Sequence, residues 1–403
     1  MRNDELLDSM KKERFDLAIV DGQVYLRCVY LIPHRLQVPW ITYTHFFDPL
    51  IAKLPWLPSF APNAFLPYSD SMTFSQRLAN SAAMAVFRLA FPFSGFTPLP
   101  EIMEKYQQYG AFSSVDELAS RSLLWLYAKN RVLDYPRPMM PNVIEVGGLT
   151  IRHATGELPS DIKKFITGAE NGIILMTFGS LVSTYPVEIA KKFLSAFLRL
   201  DGYRVIWRIQ NTDELAIPDN VMIAQWLPQN EILAHSSVKL FITHCGNSGQ
   251  HEAVYHGVPM IGFPVFFDQV HNAKRLDHKG YGLSMEFHDF TSDQLLDNIH
   301  KVLGDRSYLD RVTKASQIFR SQVQTPVERA TFWIEHVCRF GGDHLRSAGN
   351  ELPLYSYFML DVLAFGLVVL YVFVFLVYKF TRFVLRKCCG QRKPTAEVTK
   401  KQN

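Results

Sequence analysis

Cysteine is scarce in this chain of 403 residues, and the five that occur are poorly placed for metal or disulfide chemistry. Cys28, Cys245 and Cys338 are scattered and Cys388 and Cys389 are adjacent, so there is no CxxC pair and no disulfide framework. A structural zinc site is not expected. The amino terminus, MRNDELLDSMKKERFDLAIVDG, is charged and lacks the apolar stretch of a secretory signal. No Asn-x-Ser/Thr sequon is present, so glycosylation gives no argument for or against a lumenal location. Net charge is also small, with 42 Lys plus Arg against 38 Asp plus Glu. Eight basic residues from Lys379 onward, set against Glu397 alone, more than account for the excess of four. The remainder is near neutral or mildly acidic and gives no support for a nucleic-acid partner.

Apolar residues, in contrast, make up 48% of the chain and aromatics 13%, enough for a large core and two domains. Near the carboxyl end, DVLAFGLVVLYVFVFLVYK (Asp361 to Lys379) is uncharged from Val362 through Tyr378. With Tyr357 to Leu360 before it, the run reaches the roughly 20 residues that span a bilayer. It is apolar all round and abuts a basic tail, which argues against a buried core helix. By the positive-inside rule the tail, 379–403, is expected in the cytosol and the globular part across the membrane. The terminal Lys400-Lys401-Gln402-Asn403 resembles a dilysine signal for retrieval to the endoplasmic reticulum, and Cys388 and Cys389 sit where palmitoylation can occur.

From Gly172 to about Gly304, strand-like apolar runs alternate with helical patterns: IILMTF, RVIWR, VMIAQ, VKLFIT, MIGF and GLSME, with helices expected at about Pro186 to Leu200, near Glu231, at Asn247 to His256 and at Asp268 to Lys279, and a last one opened by Thr291 or Ser292. Continuous apolar strands interleaved with helices imply a parallel sheet covered on both faces. Glycines at 257, 280 and 304 stand where helices should stop. The class is α/β with a doubly wound sheet, whose ligands bind past the carboxyl ends of strands. Upstream, FDLAIVD (Phe15 to Asp21) and VPWITYT (Val38 to Thr44) read as buried strands and LLWLY (Leu123 to Tyr127) as a third candidate. Helices are expected at about Ser71 to Leu89 and Pro100 to Tyr109, while Pro49 to Pro67 has no period and reads as a loop.

One stretch carries more chemistry than a core needs: FITHCGNSGQHEAVYHGVPMIGFPVFFDQ, Phe241 to Gln269. His244-Cys245-Gly246 forms the turn from a strand into a helix, and Asn247 is expected to cap that helix with Gln250 as capping-box partner. A helix N-terminus presents free N–H groups and partial positive charge to an anion such as a diphosphate, with His244 as an added donor. Glu252, a turn and a half further on, is placed to accept a pair of ribose hydroxyls, and Asp268 and Gln269, past the next strand, to bind hydroxyls of a sugar. Just upstream, Trp226 and Gln229 offer an indole face and an amide, as a planar base requires. Singly, each has a plainer reading as packing, structural histidine or cap. Together they follow the order base, ribose, diphosphate, sugar.

These residues resemble the signature of the membrane-bound UDP-glycosyltransferases, the UDP-glucuronosyltransferase family: Trp226-Leu-Pro-Gln229, His244-Cys-Gly246, Glu252-Ala, His256-Gly-Val-Pro259 and Asp268-Gln269. The likeness extends to DYPRPMMPNV (Asp134 to Val143), VGGL (Val146 to Leu149), FGS (Phe178 to Ser180) and the C-terminal span. It implies a GT-B fold, two Rossmann-like domains facing across a cleft: an acceptor-binding domain at 1–145 and a donor-binding domain at 146–340, then a linker at 341–356 and a transmembrane helix at 357–378. By the same resemblance Trp226 would stack on uracil, Gln229 contact uracil or ribose, Glu252 hold the ribose, Ser180, His244 and Gly246 surround the diphosphate, and Asp268 and Gln269 hold the sugar. Two positions depart from the pattern: Cys245 replaces a glycine, and Ser248, counted with the donor site, stands where relatives often carry asparagine.

The implied activity is transfer of a hexosyl or glucuronosyl group from a UDP-sugar to a small lipophilic acceptor, with no metal or other cofactor. The implied partners are donor, acceptor, membrane lipid and homo- or hetero-oligomers with related transferases. Family members use a histidine base oriented by an aspartate. Asp21, ending FDLAIVD, matches the aspartate, whereas the matching histidine would precede Met1, so the first domain reads as incomplete. His45, past VPWITYT, is the alternative histidine near the cleft. A catalytically impaired donor-binding protein that modulates full-length relatives is the second expectation.

Overall fold

The computed structural model describes residues 4–45, 48–55, 57–90, 98–180 and 182–389. The chain divides into two compact units, Met1–Ser347 and Ala348–Asn403.

The first unit holds two parallel sheets. One has four strands in sequence order: β1 (Ala18–Asp21), β2 (Trp40–Thr44), β3 (Trp125–Tyr127) and β4 (Val143–Glu145). The other has six strands in the order β10-β9-β8-β5-β6-β7. These are β5 (Gly172–Thr177), β6 (Tyr203–Arg208), β7 (Val221–Ala224), β8 (Val238–Thr243), β9 (Met260–Gly262) and β10 (Gly282–Ser284). All of its pairings are parallel, as continuous apolar runs require when helices cover both faces.

The pleat of β5 shows why its sequence is apolar throughout. Ile174 and Met176 face one core with Phe193, Phe197 and Trp207, while Ile173 and Leu175 face the other with Ile206, Phe241 and Val254. Phe193 is fully buried, so trimming it to alanine removes about 3–5 kcal/mol. The helices Asn247–His256 and Gln269–Lys279 end as the glycines predict, with Gly257 and Gly280 left-handed at φ 72° and 67°. The helix Ser292–Gly304 opens with a capping box between Thr291 and Gln294. It is not the last of this unit. Asp305 caps the helix Arg306–Arg320, and a Thr325–Glu328 capping box opens Pro326–Phe340. Ala330 and Val337 of that final helix return to the first sheet and pack with Ile41, Leu124 and Leu126.

The second unit contains the helix Leu360–Cys389, of which Leu360–Cys388 is long and apolar enough to cross a membrane. It begins three residues later than expected, because Met359 takes a left-handed φ of 55°, and it runs on through Lys379, Arg382 and Arg386. Arg392, Lys393 and the dilysine pair Lys400-Lys401 lie outside the described residues.

Candidate functional site

In the six-stranded sheet the chain order reverses between β5 and β8, and a doubly wound sheet binds ligands just beyond the carboxyl ends of such a pair. Gly179 and Ser180 follow β5 there, and His244, Cys245 and Gly246 follow β8. The helix Asn247–His256 starts at the same point. Its N-cap is Gly246 and not the expected Asn247, and no side chain caps it. Asn247 is drawn away to buried partners that need it more: its amide N–H donates to the Ala128 carbonyl at 2.7 Å, and its oxygen accepts from Arg275 at 3.3 Å. Gln250 is likewise occupied, donating to the Asn272 carbonyl and accepting from Arg275 at 2.6 Å. The first N–H groups of the helix are therefore left to whatever enters the cleft.

His244 sits against two glycines. A Cβ on Gly179 would come within 2.8 Å of its ring, and one on Gly246 would meet the same ring. Burial lowers its pKa to about 4, so at neutral pH the imidazole is uncharged and can donate one proton or accept one. Cys245, where the resemblance has glycine, takes a left-handed φ of 63° and is fully buried, so the substitution is carried at some backbone strain.

Across the cleft Gln229 donates to Glu252 at 2.7 Å. Burial raises the pKa of Glu252, opposed by Gln229, Thr150 and Arg152. Trp226 is 73% exposed at the rim, with the Arg208 guanidinium 5.6 Å from its ring centroid. Arg208, at the end of β6, is itself buried and donates to the Gly179 and Gln225 carbonyls, which locks the β5 turn to the Trp226 segment.

Asp268 and Gln269 lie past β9. Gln269 accepts from the N–H groups of Val265 and Phe266, so its oxygen shapes the loop and only its amide N–H₂ remains for a ligand. Asp268 accepts from Asn272 at 2.9 Å and stays accessible at the cleft. From the first sheet, the end of β2 brings His45 to the cleft, where its Nδ1 lies 3.3 Å from the Asn247 amide nitrogen. Asp21, paired with Tyr43 in register, ends β1 beside it, exposed and outside the cleft lining.

The two sheets are tied by a buried ionic cluster. Asp134, in the loop after β3, pairs with Arg275 of the helix Gln269–Lys279 and, at 3.2 Å, with Lys129. Burial opposes ionisation of Asp134, but these two cations hold its carboxyl well below the usual carboxylate range.

The result is one cleft of about 780 Å³ lined by Ser180, Trp226, Gln229, His244, Gly246, Ser248, Glu252, Asp268 and Gln269. That lies within the ~300–1,000 Å³ of small-molecule sites. Among the other lining residues, Thr150, Arg152 and Arg208 are polar groups that escaped sequence reasoning. Arg208 had a readable signal, a cation closing the strand run RVIWR at its carboxyl edge; Thr150 and Arg152 had none.

A family model described as UDP-glucuronosyl and UDP-glucosyl transferase matches residues 1–395. A 2-hydroxyacylsphingosine 1-beta-galactosyltransferase of Rattus norvegicus is 36% identical over 396 residues, covering 96% of this chain and 71% of the relative. UDP-glucuronosyltransferase 1A1 of Homo sapiens is 32% identical, with 97% and 73% covered. Among solved structures, the spinosyn forosaminyltransferase SpnP superposes with a TM-score of 0.59 at 18% identity over 83% of this chain and 79% of its own. A UDP-glucosyltransferase from Polygonum tinctorium gives 0.56 at 16% over 83% and 79%. These glycosyltransferase neighbours share the GT-B architecture, two parallel α/β sheets facing one cleft.

Proposed function

Because this chain belongs to the UDP-glucuronosyl and UDP-glucosyl transferase family, we propose that it moves a hexosyl or glucuronosyl group from a UDP-sugar to a small lipophilic acceptor. The observation that carries this reading is the convergence of nine donor-type residues, scattered from Ser180 to Gln269, on one cleft at the switch point of a doubly wound sheet. Trp226 stacks on uracil. Gln229 and Glu252 take the base edge and ribose hydroxyls, and the uncapped helix with His244 receives the diphosphate. Asp268 and the Gln269 amide hold the sugar. The acceptor oxygen attacks the anomeric carbon from the opposite face, the bond to the diphosphate oxygen breaks, UDP leaves with the electron pair, and the acceptor proton passes to a base. Each relative reported above carries a transferase name, which favours a catalyst over a donor-binding modulator.

The diphosphate is stabilised by helix N–H groups and Arg208 rather than by a metal, a reading supported by Asp268 being, among the described residues, the one carboxylate whose charge acts on His244. Leu360–Cys388 anchors the protein in the endoplasmic reticulum membrane with its first unit in the lumen and its basic tail in the cytosol, where it is placed to contact membrane lipid and related transferases. Titration calorimetry with UDP in the presence of a chelator tests the donor site: binding without metal supports it, and binding that requires added Mg²⁺ or Mn²⁺ refutes the metal-free reading.

A further inference from the structure

We propose that His45 is a hydrogen-bond donor to the nucleotide-sugar and not the base that deprotonates the acceptor; this rests on the donor-site reading above. The argument starts from Asn247. Its amide orientation is fixed from both ends, because the Ala128 carbonyl can only be met by N–H₂ and the Arg275 guanidinium only by the amide oxygen. The nitrogen so placed is the atom 3.3 Å from His45 Nδ1. An amide N–H facing a ring nitrogen demands a lone pair there, so Nδ1 accepts. In a neutral imidazole the other nitrogen then carries the proton. With Nδ1 turned to Asn247, the edge left for the cleft is Nε2–H, which can donate but has no lone pair to take a proton.

The charged groups around the ring agree with a neutral state. Burial and Lys129, from the loop after β3, lower its proton affinity; Asp268, across the cleft, and Asp21, at the end of β1, raise it, and the net shift is downward. His45 lines the same cleft as the N-terminus of the helix Asn247–His256 and Asp268, where the diphosphate and sugar oxygens of a donor lie in the proposed pose.

The test uses the full chain in detergent with UDP-glucose, UDP-galactose or UDP-glucuronic acid as donor and a long-chain aliphatic alcohol as acceptor, whose hydroxyl must lose its proton to a base. UDP calorimetry on the unaltered chain comes first, since failure to bind UDP refutes the donor site and this proposal together. With UDP binding established, His45→Ala should raise the donor KM about 3- to 100-fold, the lower end for a lost bond to a sugar hydroxyl and the upper for one to a diphosphate oxygen, with kcat within about threefold. His45→Gln, which keeps an N–H at similar reach, should recover most of that loss, and the pH profile of kcat should be the same in all three proteins. A kcat lowered by about 10²–10⁴ in both variants, with the acidic limb of the profile gone, would show that His45 is the base and overturn the proposal while leaving the donor site intact. An unchanged donor KM in His45→Ala would overturn it as well.

Discussion

Replacing Glu252 by glutamine should weaken UDP binding without harming the fold, and the two effects have separate structural origins. The carboxylate is 7% exposed and burial raises its pKa, so the ionised form is disfavoured in the folded state relative to the unfolded chain. For an acid with a raised folded pKa, that cost is absent at low pH and grows as pH rises through the unfolded and then the folded value. At pH 7 the native protein therefore carries it. A neutral amide in its place would relieve it while keeping an oxygen for the 2.7 Å hydrogen bond from Gln229. The melting temperature should stay level or rise by a degree or two. In the proposed pose Glu252 receives two ribose hydroxyls, and a hydrogen bond to a charged acceptor is stronger than one to a neutral amide by about 1 kcal/mol. The loss for two bonds is about 1–3 kcal/mol, roughly a 5- to 150-fold weaker Kd by calorimetry. Paired measurements of melting and UDP affinity decide the matter. If Glu252→Gln binds UDP as tightly as the parent, the carboxylate does not touch the nucleotide; if it melts several degrees lower, the carboxylate is a structural partner and its role in the cleft is misassigned.

Trp226→Ala should cost about 1–3 kcal/mol in UDP affinity, the worth of base stacking, with an unchanged circular dichroism spectrum because the indole is 73% exposed; unchanged affinity would remove Trp226 from the site. Arg275→Met should cost about 3 kcal/mol or more in urea unfolding by leaving Asp134 and the Asn247 oxygen short of a buried partner, and adding Asp134→Asn should recover part of it; a single-variant cost below about 0.5 kcal/mol would show the cluster to be inert. His244, His251 and His256 have pKa values lowered to about 4 and His271 to about 3, chiefly by burial. The unfolded chain takes up these protons first, so stability should be full above about pH 6.5 and fall steadily from there toward about pH 4; a melting temperature that is flat across that window would refute the assignment.

The six-stranded sheet was readable because its strands bury both faces, which forces runs such as IILMT and LFIT in β5 and β8, and because left-handed glycines mark the helix ends at 257 and 280. The four-stranded sheet was only partly so. β4 has three residues, too few for any period, and the helix Val115–Ser120 is barely longer than a turn. Two long helices after Gly304 were missed although one carries its signal openly in Thr325-Pro-Val-Glu328. Residues of the cleft that stand on one segment, from His244 to Gln269, could be read in order. Thr150 and Arg152 reach it only because the fold brings the segment after β4 to the cleft, which no local pattern reveals.

Asn247 explains why the expected cap was the wrong reading and why the cleft has the form it does. A capping side chain folds back on its own helix and satisfies an N–H that an anion would otherwise use. Turning that side chain outward does three things at once: it frees the helix N-terminus, it ties the helix to Ala128 beyond β3, and it sets the tautomer of His45 beyond β2. The same amide is held from behind by Arg275, which also pairs with Asp134 of the first-sheet loops and donates to Gln250. The donor cleft and the junction between the two sheets therefore share residues and are not independent. A substitution at Asn247 should alter UDP affinity and unfolding together, whereas one at Trp226 should alter affinity alone. If Asn247→Ala left the unfolding midpoint untouched while UDP binding weakened, the bond to Ala128 would contribute nothing to the junction, and the coupling of cleft to junction through this residue would fall.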